Sequence, residues 1–290
     1  MVFTLESIMQ TILNGLMIGS VFSLVAAGLT LIWGVVGLVN WAHAEFMMLG
    51  MYAAYWLYTL FSIDPLFSLP ADVILLFIVG VLIYRLLISR TLDAPSAAQN
   101  LATFGLMIFM RGGAQFLWTP NVRSVTESLV QGRVEIFGVF AGVPQLFAAG
   151  GAILTTAFLY WFVERTKTGR ALAAVAEDNE AAALMGIDRK RMYTLALGIG
   201  AACSGVAGGL LSTYYYIYPN VGVIFGMMAL ITVSLGGFGS IPGAFLGGIA
   251  SGLVMVFGGA LIAPAFKYAA VFVVYLVVVS IRPQGLMGEA

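Results

Sequence analysis

Long apolar runs separated by short polar joints make up most of the chain. About twenty consecutive apolar residues reach across a bilayer's hydrocarbon core, and windows of that kind predict segments at 8–34, 40–61, 71–89, 100–118, 146–164, 191–216, 222–239, 243–262 and 266–282. The first is long and interrupted by glycines. The pair 222–239 and 243–262 is joined by GGFGSIPGA, room for little beyond a sharp turn. Either member is therefore expected to be a re-entrant or broken helix, which a bilayer tolerates only where protein or a water-filled cavity satisfies the freed backbone groups. The count is eight or nine. The predicted class is all-α: a polytopic helical membrane protein, a single transmembrane domain over 1–290.

Composition supports this pattern. With 61% hydrophobic and 9% charged residues, a soluble domain of this length would lack the polar surface to cover itself. Zero formal net charge excludes a basic field for nucleic acid, and one cysteine, Cys203 in an apolar run, excludes a disulfide framework or a cysteine-ligated metal. The start, MVFTLESIMQT, lacks the basic region and cleavage site of a secretory signal, so the first apolar run is expected to remain as a span. Lys and Arg set the orientation. Arg85 and Arg90, then Arg165, Lys167, Arg170, Arg189, Lys190 and Arg191, then Arg282 mark three cytoplasmic regions, whereas the loop 119–145 carries only Arg123 and Arg133, offset by Glu127 and Glu135, and belongs outside. Nine crossings then put the N-terminus outside and RPQGLMGEA inside.

One polar stretch stands apart: RALAAVAEDNEAAALMGIDRKRM, residues 170–192. Gly186 is a good helix stop and Asp188 a good N-cap for the next span, so a short cytoplasmic helix bent away from the membrane is predicted. Arg189, Lys190 and Arg191 oppose the dipole at a helix start, a placement the positive-inside rule explains. Glu177, Asp178 and Glu180 give way to the small residues Ala181, Ala182 and Ala183, then Leu184, which let another protein approach closely. The alternative is an amphipathic helix lying on the headgroups, which acidic residues beside an anionic leaflet disfavour.

EAAALMGID, preceded by GRALAAVAEDN, resembles the EAA-type cytoplasmic loop of ABC importer permeases in its branched-chain amino acid, or LIV, version. GLTLIWGVVGLVNWAHAEFMMLGMY, ITVSLGGFGSIPGAFLGG and the terminal RPQGLMG are similar to the same family in the same order. Ala44 stands where that family's motif often has Gly, and the downstream Leu-Pro of many EAA loops outside this family is missing. The resemblance, to a LivH-like permease subunit, implies a coupling helix in which Glu177, Asp178, Glu180, Ala181, Ala182, Ala183, Leu184 and Gly186 dock on a cytoplasmic ATPase. It further implies a second, LivM-like permease subunit, two ATPase subunits that bind ATP and Mg, a periplasmic binding protein, a bacterial inner-membrane location, and branched-chain amino acids as cargo. Related permeases are associated with urea, short amides and aromatic acids. No cofactor is expected in this chain, and no ATPase activity: G-x-x-x-x-G-K-[ST] is missing from the sequence. A self-sufficient channel or secondary transporter for urea or an amide is the alternative, although it needs no acidic, Ala-rich docking helix. An intramembrane enzyme is disfavoured by a single histidine without H-E-x-x-H or G-x-S-x-G.

The remaining candidates lie in or beside the spans. In NWAHAEFMML, Asn40, His43 and Glu45 open an apolar span. The spacing of His43 and Glu45 puts them on different helix faces, so they are read either as bonding to helix termini at the cytoplasmic boundary or as part of an inner gate. Arg111, at about +3 kcal/mol for an arginine at a span centre, must snorkel, pair or face a polar path, with Glu45 a conceivable partner. Gly15 with Gly19, Gly205 with Gly209, Gly243 with Gly247 and Gly248 with Gly252 have close-packing spacing. Gly236, Gly237, Gly239 and Pro242 predict an unwound element whose backbone could line a path. In the loop 119–145, Val134, Ile136 and Val139 around Gly138 predict a hairpin-like element. Arg123, Glu127, Arg133 and Glu135 are its candidate contacts with a binding protein, the alternative being a lid over the chain's own outer end.

Overall fold

The structure, a computed structural model, describes residues 4–136 and 138–287. Its helices are α1 (Leu5–Val36), α2 (His43–Phe61), α3 (Pro65–Ile83), continued by a π-helical turn Tyr84–Ile88 into α4 (Ser89–Thr91), α5 (Ser96–Trp118), α6 (Val143–Arg165), α7 (Lys167–Glu177), α8 (Asn179–Leu184), α9 (Arg189–Leu211), α10 (Val221–Gly236), α11 (Ile241–Leu261) and α12 (Lys267–Ile281). A hairpin of β1 (Arg133–Ile136) and β2 (Val139–Gly142) precedes α6. Each of the nine predicted segments falls on a helix. Among the described residues, six are long and apolar enough to cross a membrane: α1, α3 with its continuation, α6, α9, α11, and α12 with the turn before it.

α10 differs. Its 16 residues rise about 24 Å, short of the ~30 Å core. Phe225 packs edge-on against Phe22 of α1, and beyond the helix end Phe238 meets Trp33, so α10 follows only the C-terminal part of α1. α2 also begins at depth. α1 ends at Gly37, whose φ of 75° and N–H bond to the Trp33 carbonyl close the helix. The chain then runs back along α1, placing His43 beside Val25. Both α2 and α10 thus start beside the middle of a long helix.

The helices fall into two runs, α1, α2, α3, α5 and α9, α10, α11, α12, whose packing is exchanged. α1 lies antiparallel to α11, with Gly15 against Leu253, Gly19 against Ile249 and the Ser23 hydroxyl donating to the Phe245 carbonyl at 2.8 Å. Correspondingly α9 lies antiparallel to α3, with Gly209 against Asp72 and Gly205 against Leu76. α1 and α9 cross where Gly28 and Gly200 each face the other's carbonyl. This is the pattern of an inverted repeat, in which broken helices gather at the repeat interface.

Candidate functional site

Two helix starts meet at the centre of the bundle. At the first, the Asn40 side chain accepts the Ala42 N–H at 3.1 Å and the Asn40 carbonyl accepts the His43 N–H, which turns the returning chain into α2. His43 Nε2 lies 3.0 Å from the Val25 carbonyl and 2.8 Å from Ser204 Oγ. The Val25 carbonyl can only accept, whereas the Ser204 hydroxyl can donate or accept, so the tautomer sets which of the two contacts carries the proton. His43 therefore pins α2 to the crossing of α1 and α9, at mid-helix rather than at a helix terminus or a cytoplasmic boundary. Glu45 points elsewhere, as its spacing predicts: Arg111 Nη2 on α5 donates to Glu45 Oε1 at 2.5 Å. Side-chain exposures are 1% for Glu45 and 21% for Arg111.

At the second start, Gly222 and Gly226 let α10 close on Ala44 and Glu45; a Cβ at Gly222 would stand 3.0 Å from Glu45 Oε2. Between the two starts lies a cavity of about 190 Å³, lined by Asn40, His43, Glu45, Arg111 and Gly222 with an apolar remainder that includes Leu29, Met107 and Leu230. That is below the ~300–1,000 Å³ of pockets for drug-sized ligands and is a size for a small solute. Glu45 Oε2, Asn40 Nδ2 and Arg111 Nε, all buried, have no hydrogen-bond partner among the described residues.

Gly236, Gly237, Gly239 and Pro242 lie apart from that cavity, at the other end of α10. Gly237 and Gly239 have φ of 104° and 84°, Ser240 caps α11, and Pro242 occupies its first turn. The unwound element is therefore a tight joint. Thr30 accepts the Gly239 N–H at 2.9 Å, and the Leu286 and Met287 N–H groups take the Leu235 and Gly236 carbonyls at 2.8 and 2.9 Å. These bonds tie down the backbone of the unwound element that the glycine pattern predicts.

The polar stretch forms two helices, where one was predicted. Asp178 leaves helical geometry (φ −149°) and its carboxylate accepts the Glu180 and Ala181 N–H groups at 2.9 and 3.0 Å, so Glu177 closes α7 while Asn179 opens α8 with Glu180 in its first turn. Gly186, at φ 83°, ends the turn, and Asp188 caps α9 by accepting the Arg191 N–H. Glu177, Asp178, Glu180, Ala181, Ala183, Leu184 and Gly186 are exposed, whereas Ala182 turns inward. Leu184 and Met185 stand out, 89% and 83% exposed. Leu172 and Val175 bury the inner face of α7, which packs on α1 and α6, and Arg189 donates to Asn179 at 3.2 Å.

Across the bundle, the hairpin forms where Gly138 supplies φ 77°. Gln10 of α1 holds it, accepting the Phe140 N–H and donating to the Phe140 carbonyl, both at 2.7 Å. Glu127, Arg133 and Glu135 are exposed. Arg123 is not free in the same way: it donates to the Trp118 carbonyl at 2.8 Å, lies over the Tyr55 and Trp56 rings, and its backbone bridges Ile217.

Residues 11–281 match the family described as the permease component of the branched-chain amino acid transport system. The chain belongs to that family. It is 31% identical over 294 residues to the high-affinity branched-chain amino acid transport permease BraD of Pseudomonas aeruginosa, covering 97% of this chain and 96% of that one. Identity is 30% over 296 residues to the corresponding LivH of Escherichia coli, with the same coverage, and 30% over 257 residues to a probable LivH of Methanocaldococcus jannaschii, covering 84% and 79%. This branched-chain permease family member is a multi-pass membrane protein. Sequence reasoning missed four of the permease's residues. Gly222 and Gly226 have the four-residue spacing of close-packing glycines. Met185 extends the exposed tip of α8. Asp72, 0% exposed, accepts from Ser68 at 3.1 Å and packs on Gly209; an ionisable residue at the start of a predicted span was the signal.

Proposed function

We propose that this chain is a membrane-spanning subunit of an ATP-driven importer for branched-chain amino acids, with α8 as its coupling helix and the cavity between the starts of α2 and α10 as part of its path. The observation that carries the reading is the exposed, capped α8, held between helices that reach the centre of the bundle. Leu184 and Met185 form an apolar tip that fits a cleft in a cytoplasmic ATPase, with Glu180, Ala181 and Ala183 beside it. Movement of the tip passes through the buried face of α7 to α1 and through the Asn179–Arg189 bond to α9. His43 bonds to both helices, so their relative movement acts directly on the start of α2.

Separate ATPase subunits supply ATP and Mg binding, a second permease subunit completes the path, and a periplasmic binding protein delivers the solute to the face carrying Glu127, Arg133 and Glu135. The chain lies in the inner membrane with α8 and the C-terminus in the cytoplasm. In proteoliposomes of the complete complex, leucine uptake should require ATP, the ATPase and the binding protein together; uptake without ATP favours a channel. In a Cys203→Ser background, Thr126→Cys should react with an impermeant thiol reagent from outside and Asn179→Cys only from inside. Labelling of Asn179→Cys in intact cells overturns the orientation.

A further inference from the structure

α3 and α9 pack closely at Gly80, where a Cβ would stand 2.6 Å from the Leu197 carbonyl oxygen. Toward the end that carries α8, aromatic rings take up the spacing: Tyr84, in the π-helical turn after α3, meets Tyr193 edge-on at 6.5 Å. A groove of about 1090 Å³ opens there. Its floor is apolar, with Phe77 and Val81 of α3 and Leu195 of α9, and its rim is basic, with Arg85, Lys190 and Arg191. Floor and rim are about 12 Å apart along α3, from Phe77 to Arg85, at 1.5 Å per residue. All three cations are exposed, and none is in an ion pair, since the one pair among the described residues is Glu45–Arg111. Arg189 beside them donates to Asn179, and the rim's two carboxylates are Asp93 and Asp188, the second of which caps α9. The positive-inside rule explains cations at this end of the spans. It explains neither an apolar channel leading from them into the span nor the π-helical turn at its mouth, a form frequent at functional sites.

We propose that this groove binds one anionic phospholipid, its phosphate between Arg85 on one side and Lys190 and Arg191 on the other, with an acyl chain along Phe77, Val81 and Leu195. The inference goes beyond the importer reading and does not depend on the cargo. Polarity changes in the order a lipid requires: apolar at the depth of the span, basic at its end. Basic pockets between spans on the cytoplasmic side suit anionic headgroups. A docked ATPase meets the rim but not the floor, which belongs to the apolar helix Pro65–Thr91. A phosphocholine headgroup brings its own ammonium to a rim that already holds three cations. One phosphate here meets charges from both α3's continuation and the start of α9, beside the turn that follows α8.

The test uses the complete complex, ATPase subunits included, in nanodiscs containing a trace of phosphatidylglycerol or phosphatidylcholine with a photoreactive diazirine in the acyl chain. Both leaflets have the same composition, so the result is independent of orientation, which the thiol labelling above decides. Labelled positions are mapped by mass spectrometry and referred to α12, where Val273 and Leu276, 59% and 61% exposed, report ordinary lipid contact. One Lys or Arg near an anionic surface corresponds to about fivefold. The phosphatidylglycerol probe should therefore label residues 77–81 and 193–195 at least fivefold more than the phosphatidylcholine probe. Arg85→Gln, Lys190→Gln and Arg191→Gln together should remove the preference. Arg90→Gln, Arg170→Gln and Arg282→Gln, which take the same charge from exposed positions outside the groove, should leave it intact. If the groove variant does not assemble, competition in the wild type decides: excess unlabelled phosphatidylglycerol must suppress the labelling and millimolar inorganic phosphate must not. Equal labelling by the two probes, no labelling of the groove in the assembled complex, or a preference that survives in the groove variant overturns the site. Suppression by inorganic phosphate assigns the rim to a free anion and overturns it as a lipid site.

Discussion

Gly50→Ala tests whether close packing of α2 on α9 sets the central site. A Cβ at Gly50 would lie 2.6 Å from the Gly205 carbonyl oxygen and 2.9 Å from its Cα, backbone atoms that cannot swing aside. Ordinary contact begins at 3.4 Å, so α2 and α9 must part by about 0.8 Å, on the scale at which overpacking costs about 1–3 kcal/mol. Better helix propensity returns about 1 kcal/mol. Gly105→Ala on α5 is the control, because a Cβ there meets nothing within 4 Å and only the propensity gain applies. The two variants should differ by about 1–3 kcal/mol in unfolding of the purified protein in nanodiscs, with Gly105→Ala the more stable. Uptake should fall only in Gly50→Ala: the His43–Ser204 bond of 2.8 Å bridges α2 and α9 and would stretch past hydrogen-bonding range. Equal stability and equal uptake in the two variants would refute the reasoning.

Three further outcomes are expected. Arg111→Met, which leaves Glu45 buried and unpaired, should destabilise by about 3–5 kcal/mol, nearer the lower figure because Arg111 keeps 21% exposure. Glu45→Gln with Arg111→Met should recover most of this, and a double variant as unstable as the single one contradicts the pairing. Glu180→Lys and Gly186→Pro, the latter removing an N–H bonded to the Ala183 carbonyl at 3.0 Å and a φ of 83° that proline cannot adopt, should leave ATP hydrolysis running while leucine uptake drops at least tenfold; unchanged uptake in both excludes α8 as the coupling element. Arg133→Glu should weaken stimulation of the ATPase by loaded binding protein at low ionic strength and lose that effect at ~0.5 M salt, where screening is strong. Normal stimulation at low salt points to the lid alternative for the hairpin.

Much of the fold was legible because each span is an apolar run bounded by charges or turn residues, and Gly186, Asp188 and Gly138 act through local geometry that a short window contains. The two central helix starts were harder to see for one physical reason. Hydropathy records burial but not direction, and GVVGLVNWAHAEF remains mostly apolar, with only Asn40, His43 and Glu45 polar, across the point where α1 ends, the chain reverses and α2 begins. The same holds at α10, whose start follows the apolar and aromatic stretch after α9. Asp178 shows the opposite case: a cap signal was present, but a continuous run of helix-forming residues on either side masked the break. The Glu45–Arg111 pair joins residues 66 positions apart, so no spacing rule reaches it, although the cost of each charge in an apolar run required some partner. Asn40, Glu45 and Arg111 were legible as costly residues, and Gly222 as a small one. Their assembly depends on α2 and α10 both starting inside the bundle, where the ends of broken helices bring polar backbone and side chains into an otherwise apolar core. For a permease this is the reason to break a helix at all: the break places charge and hydrogen-bonding groups midway along a path without the polar face that a continuous span would have to present to lipid.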